Sequence, residues 1–223
     1  MRTIAFVVND LIDFTFEHLI KKYLGNANVT IANHFPCDPQ QFDLVVLWSY
    51  RQVVPHRGTI DNVIIFHSSD LPNGRGWAPI YHALADKNEY FTITGIKMSN
   101  PVDTGDVVVK AKFFIRPDYT AALLRRFDEE LSILLAARIL DRFGGERIAG
   151  RTQQGIGSYF PRRKPEQNIV DLTDSLENLI PKLRACEPSH PAHFIFHGKK
   201  YIIEIYPEIE PQFPEDIEIE FFD

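Results

Sequence analysis

Four apolar runs in the first third of this chain leave little freedom in its fold. Thr3 to Asn9, Val29 to Ala32, Leu44 to Trp48 and Val63 to Phe66 are short and nearly continuous in apolar residues. Strands covered on both faces have that signature, whereas half-exposed strands alternate. Ile12 to Leu24 carries apolar residues near helical spacing, and Ala78 to Ala85 predicts a second helix. Strands alternating with helices predict an α/β protein with a mostly parallel sheet covered on both faces. Two later runs, 90–98 and 106–115, have no helix between them, which predicts an antiparallel pair at one side of the sheet.

Asp118 to Phe143 reads as one long helix, with Asp118 as its N-cap and Gly144-Gly145 as its stop. Beyond it the character changes. Residues 151–168 are polar, basic and glycine-containing, a short helix is expected near Asp174 to Ala185, and strands at 193–197 and 200–206 flank a turn at Gly198. The division drawn from this is a core over 1–147 and a small α+β extension over 148–223, an acceptor-binding or packing subdomain. An apolar content of 44% suits a real core. No stretch reaches the roughly 20 apolar residues of a membrane helix. The N-terminus reads as a first strand rather than a signal peptide. Cys37 and Cys186 stand in no metal or redox spacing, which suits a cytoplasmic chain with free thiols. A net charge of −6 argues against a large nucleic-acid footprint. The acid gathers at the end, at Glu204, Glu208, Glu210, Glu215, Asp216, Glu218, Glu220 and Asp223, as a solvated tail or a docking segment.

Chemistry is suggested by Phe66-His67-Ser68-Ser69-Asp70-Leu71-Pro72-Asn73-Gly74-Arg75-Gly76-Trp77-Ala78-Pro79, followed by Asp103-Thr104-Gly105-Asp106. The first run puts a histidine at the end of a buried strand, before a turn built from Pro, Asn and Gly. The second puts an aspartate after the 90–98 strand. A histidine and a carboxylate at adjacent strand ends are what acyl transfer requires. On spacing alone, His67 is as well read as a hydrogen-bonded core histidine, and Asp103 to Asp106 as an ordinary turn.

Together these runs resemble the formyltransferases that use 10-formyltetrahydrofolate, whose pattern is roughly Asn-x-His-x-Ser-x-Leu-Pro-x-x-Arg-Gly-x-x-Pro and then Asp-x-Gly. His67, Ser69, Leu71, Pro72, Arg75, Gly76 and Pro79 match the first part, and Asp103 and Gly105 the second. The resemblance implies a three-layer, Rossmann-like core. His67 and Asp103 would be catalytic, with His67 donating to the developing oxyanion or relaying the amine's proton and Asp103 orienting it. 10-Formyltetrahydrofolate would be the formyl donor, held by Tyr50, Arg51, Gln52 and Val53 on one side and by Asn100, Val102 and Asp103 on the other. Ile65 stands where the family has its asparagine, an oxyanion donor. Another group such as Asn73, a serine hydroxyl or a backbone N–H replaces it, or the subgroup manages without it, or the enzyme is slow or inactive.

Ser158-Tyr159-Phe160-Pro161-Arg162-Arg163-Lys164-Pro165-Glu166 resembles the stretch that follows the core in sugar and tRNA formyltransferases. Cations beside aromatic rings suit a phosphorylated, ring-bearing ligand; a solvated basic loop is the plain alternative. The resemblance therefore implies acceptor contacts from Ser69, Arg75, Gly76, Trp77, Tyr159, Phe160, Arg162 and Arg163. The expected acceptor is a small primary amine, an amino sugar carried on a nucleotide, with no nucleic acid, membrane or metal involved and with a homodimer as the assembly. The alternatives are a non-catalytic folate- or sugar-binding protein and a formyltransferase for another small amine.

Overall fold

The computed structural model describes residues 1–9, 14–55 and 58–222. In chain order its first elements are β1 (Thr3–Val8), α1 (Phe14–Leu24), β2 (Asn28–Ala32), β3 (Leu44–Trp48) and β4 (Ile60–His67). There follow β5 (Arg75–Gly76), α2 (Pro79–Ala85), β6 (Tyr90–Met98), β7 (Val107–Phe114) and α3 (Ala121–Phe143). The last are β8 (Tyr159–Phe160), α4 (Leu176–Ala185), β9 (Ala192–Phe196), β10 (Lys199–Ile203) and β11 (Glu218–Phe221). Ile12 and Asp13, expected at the start of the first helix, lie outside the described residues.

Seven strands form the central sheet in the order β11-β7-β6-β4-β3-β1-β2. The four apolar runs are the parallel half, with Ile4 beside Leu44 and Val46 beside Ile64. β6 and β7 pair antiparallel, as the missing helix between them predicts. The α/β class follows the alternation in the sequence, but the two faces are covered unequally. Ile4, Phe6, Leu44, Val46, Ile64 and Phe66 share one large core with residues of α1, α2 and α3. Ala5, Val7, Val45, Leu47 and Val63 form a second cluster, packed by Phe35, Phe42, Tyr50 and Val54 from loops. That lighter cover leaves the loop after β3 near the surface.

α3 is buried along much of its length, from Leu124 through Leu131 to Leu135 and Ile139. Its N-cap is Thr120, whose hydroxyl accepts from the Leu123 N–H at 3.4 Å. Asp118, the expected cap, instead pairs with Arg116 at 3.2 Å. The helix ends where Gly144 takes φ 50° and returns its N–H to Leu140, as a C-terminal glycine should.

Residues beyond 150 divide. α4 packs on α2, and the β9–β10 hairpin covers α4 through Ala192, Phe194 and Ile203. The chain then crosses α3, where Phe213 meets Phe127 edge-on at 5.6 Å. Finally β11 adds antiparallel to β7 as an edge of the main sheet. The acidic terminal run is thus partly structural: Glu218 pairs with Lys112 at 3.0 Å, Asp216 accepts from the Phe114 N–H at 2.9 Å, and Glu210 pairs with Arg126. Among the described residues no helix is long and apolar enough to cross a membrane.

Candidate active site

His67 closes β4 and pairs across the sheet with Thr94. Its Nε2 lies 2.8 Å from the carbonyl oxygen of Gly74. A carbonyl only accepts, so Nε2 carries a hydrogen and Nδ1 is left as the atom that can gain or lose one. Nδ1 faces Asp103 Oδ1 at 3.8 Å, and each side chain is 10% exposed. The distance exceeds a direct hydrogen bond, yet keeps the carboxylate within strong electrostatic reach of a protonated ring.

Asp103 does not sit at a strand end beside His67. β6 runs antiparallel to β4, so its last residue, Met98, lies beside Ile60 at the start of β4. The connection to β7 must therefore fold back toward His67, and Asp103 takes φ 60°, in the left-handed region, as it does so. The Gly76 N–H donates to Asp103 Oδ2 at 3.0 Å and holds the carboxylate. Gly105 permits the fold-back, since a Cβ there would stand 1.8 Å from the Lys97 carbonyl oxygen.

Gln153 is a residue the motifs did not reveal. Its Nε2 donates to the carbonyls of both Asp103 and Gly105 at 2.9 Å, and its Oε1 accepts from Arg75 Nη2 at 2.7 Å. One amide thus joins the aspartate loop to the arginine loop. Its partners are distant in sequence, so no local pattern marks it. Arg75 Nε is buried with no hydrogen-bond partner among the described residues. An unpaired buried donor is costly, and this one belongs to the residue next to the Gly76–Asp103 contact.

The turn after His67 is tied to the later basic segment. Arg75 and Gly76 form a two-residue parallel ladder with Tyr159 and Phe160. The Gly74 N–H donates to Ser158 Oγ at 2.8 Å. Ser69, expected at the acceptor, is engaged within the turn, donating to the Asn73 carbonyl at 2.8 Å. Trp77 is 41% exposed and Tyr159 65%, and the Arg162 guanidinium lies 5.0 Å over the Trp77 ring. These three supply an open aromatic and cationic surface.

Phe160 and Arg163, expected on that surface, are turned onto α2 instead. Phe160 stacks on His82 at 3.8 Å with planes 7° apart. Arg163 lies 3.1 Å over the Tyr81 ring and hydrogen-bonds to Asn168. Burial pushes the His82 imidazole below its ordinary value, and Asp86 at 3.3 Å opposes that only in part.

On the expected donor loops, Tyr50 is half-buried against the second core cluster, while Arg51, Gln52 and Asn100 are exposed. Val53 and Val102 leave large apolar side chains in solvent, 78% and 59% exposed. Ile65 packs beside Leu71, Ile96, Val107 and Phe222, an apolar setting.

Residues 20–138 match the family described as formyl transferase. A methionyl-tRNA formyltransferase of Carboxydothermus hydrogenoformans is 30% identical over 165 residues, covering 71% of this chain and 53% of that protein. The chain spans about half the length of the curated relatives it matches. HypX of Aquifex aeolicus, solved in complex with tetrahydrofolic acid, superposes with a TM-score of 0.73 at 17% identity, over 96% of this chain and 40% of that one. A sugar N-formyltransferase from Shewanella gives 0.60 at 15% identity, over 95% of this chain and 100% of that one. These two likenesses show a shared fold.

Proposed function

We propose that this chain, which belongs to the formyl transferase family, moves a formyl group from 10-formyltetrahydrofolate to the primary amine of a nucleotide-linked amino sugar. The observation that carries this reading is the meeting of His67 Nδ1 and Asp103 Oδ1 at 3.8 Å beside a segment that presents Trp77, Tyr159 and Arg162. 10-Formyltetrahydrofolate, when bound, supplies the carbon that is transferred. The exposed apolar Val53 and Val102, on the two expected donor loops, suit a flat heterocycle. The unpartnered Arg75 Nε suits a polar substrate atom.

In this scheme Nε2 of His67 stays with Gly74, and Nδ1 carries the moving proton. The protonated Nδ1 donates to the oxygen that gains charge when the amine attacks, or passes on the proton the amine gives up. Asp103, held by Gly76 N–H, stays beside that nitrogen and stabilises the charged ring. Transfer ends with a C–N bond formed to the acceptor amine, the C–N bond to the folate broken, and a proton returned to the folate nitrogen. Trp77 and Tyr159 offer faces for a base, and Arg162 a charge for phosphate.

Ile65 favours a second reading, a folate- or sugar-binding protein without turnover, because its apolar side chain cannot donate where the family's asparagine does. Purified protein with 10-formyltetrahydrofolate separates the two. Turnover predicts tetrahydrofolate release that requires an amino-sugar nucleotide; the binding reading predicts a saturable complex and no release.

A further inference from the structure

Asp128 is a buried acid that the proposed chemistry does not use. It lies on α3, on a helix face otherwise lined by Leu124, Phe127 and Leu131, and is 7% exposed. A carboxyl there is expensive, because its charged form loses water. Burial holds it above the ordinary carboxylate value, opposed by the Ser68 hydroxyl, the Arg125 charge, the nearby Trp48 indole and the His67 charge. An apolar residue would pack on that face at no such cost. What the acid adds is a pair of oxygens that can accept hydrogen bonds, which an apolar side chain lacks.

The groups beside it are placed with some consequence. Ser68 Oγ donates to Asp128 Oδ1 at 2.7 Å, and the Trp48 side chain stands near enough to act on the carboxyl's titration. Trp48 is the last residue of β3, and Ser68 is the first residue beyond β4. β3 and β4 are parallel neighbours, with Leu47 beside Ile65. Their ends lead directly into His67 on one strand and the Tyr50–Val53 loop on the other. One side chain from α3 therefore holds the end of β4 beside the end of β3.

We propose that Asp128 is a positioning residue, which through Ser68 fixes the end of β4 and so sets the His67 ring against Gly74 and Asp103. The inference rests on the formyl-transfer reading, in which ring placement governs proton transfer. Asp128 touches no reacting atom. Its loss lets the His67–Ser68 peptide shift, and the imidazole no longer keeps one hydrogen-bonding arrangement.

The test combines steady-state kinetics with ¹⁵N NMR of the His67 ring nitrogens in the full chain. Asp128→Ala is expected to lower kcat at least tenfold with the acceptor KM within about twofold of wild type. The neutral ring should change from the Nε2–H form alone to a mixture of tautomers. Asp128→Asn, which keeps an acceptor for the Ser68 hydroxyl, should fall between wild type and Asp128→Ala. If Asp128→Ala does not fold, Ser68→Ala decides, with an expected severalfold loss of kcat and the same direction of change in the ring signals. A folded variant with unchanged kcat and unchanged ring signals overturns the proposal. Wild type that releases no tetrahydrofolate defeats the formyl-transfer reading separately. The ring signals of the variants still judge the placement role in that event: a tautomer mixture upholds it and an unchanged ring rejects it.

Discussion

Gln153 donates one amide hydrogen to the backbone carbonyl of Asp103 at 2.9 Å, across 50 residues of sequence. Its second hydrogen goes to Gly105 and its oxygen accepts from Arg75, so all three bonds it makes hold loops rather than substrate. Gln153→Ala should lower turnover by at least tenfold, about 1.4 kcal/mol in the barrier, with folding retained by circular dichroism. Gln153→Glu should be worse, since a carboxylate would face two carbonyl oxygens. Turnover near wild type in either variant would show that the Asp103 loop holds its shape without this amide.

Two neighbouring arginines should separate cleanly. Arg162 lies over the exposed Trp77 ring, so Arg162→Ala should raise the acceptor KM with kcat little changed. Arg163 lies on Tyr81 and bonds Asn168, so Arg163→Ala should lower the melting temperature, by the loss of a cation–π contact of roughly 0.5–2 kcal/mol and of a partly buried hydrogen bond. A paired measurement of acceptor KM and melting temperature checks both, and exchange of the two phenotypes would refute the assignment.

Ile65→Asn should not create a better enzyme. The side chain is half-buried beside Leu71, Ile96 and Val107, where an unpartnered amide costs about 1–3 kcal/mol. The expected result is a lower melting temperature and less than a tenfold gain in turnover. A larger gain would mean that the oxyanion lacks a donor in the native protein.

His82 gives a pH dependence with a definite sign. Burial sets its folded value below the ordinary 6.5, so the unfolded chain takes up the proton first as pH falls. Stability is therefore full above about 6.5, declines as pH drops through that value, and levels off below the folded one. His82→Phe keeps a flat ring on Phe160 and removes the titration. Its melting temperature should fall less than that of wild type between about pH 7.5 and 5.5. An equal fall would place the acid sensitivity elsewhere.

Apolar continuity made β1, β3 and β4 legible in the sequence, because a strand buried on both faces has little room for polar residues. The His67 and Asp103 pairing was legible through motif order, but its geometry was not. Antiparallel β6 sends its loop to the wrong end of β4, and only a fold-back through Asp103 at φ 60° and Gly105 restores the contact. Gln153 and Asp128 were invisible, since each acts on partners far away in sequence and neither stands in a pattern. Arg163 and Phe160 were placed with the acceptor because cations and rings look alike whether they face a ligand or a neighbouring helix. The acidic terminus looked like a solvated tail, yet its last residues pair with β7, whose partner strand no local signal announces.

The central claim is that His67 and Asp103 together carry formyl transfer to an amine. It is tested most directly by tetrahydrofolate release from 10-formyltetrahydrofolate with an amino-sugar nucleotide as acceptor, in wild type and in Asp103→Ala. The account predicts acceptor-dependent release by wild type and a loss of at least a hundredfold in a folded Asp103→Ala. Equal release by the two proteins, or release that ignores the amine, would contradict it.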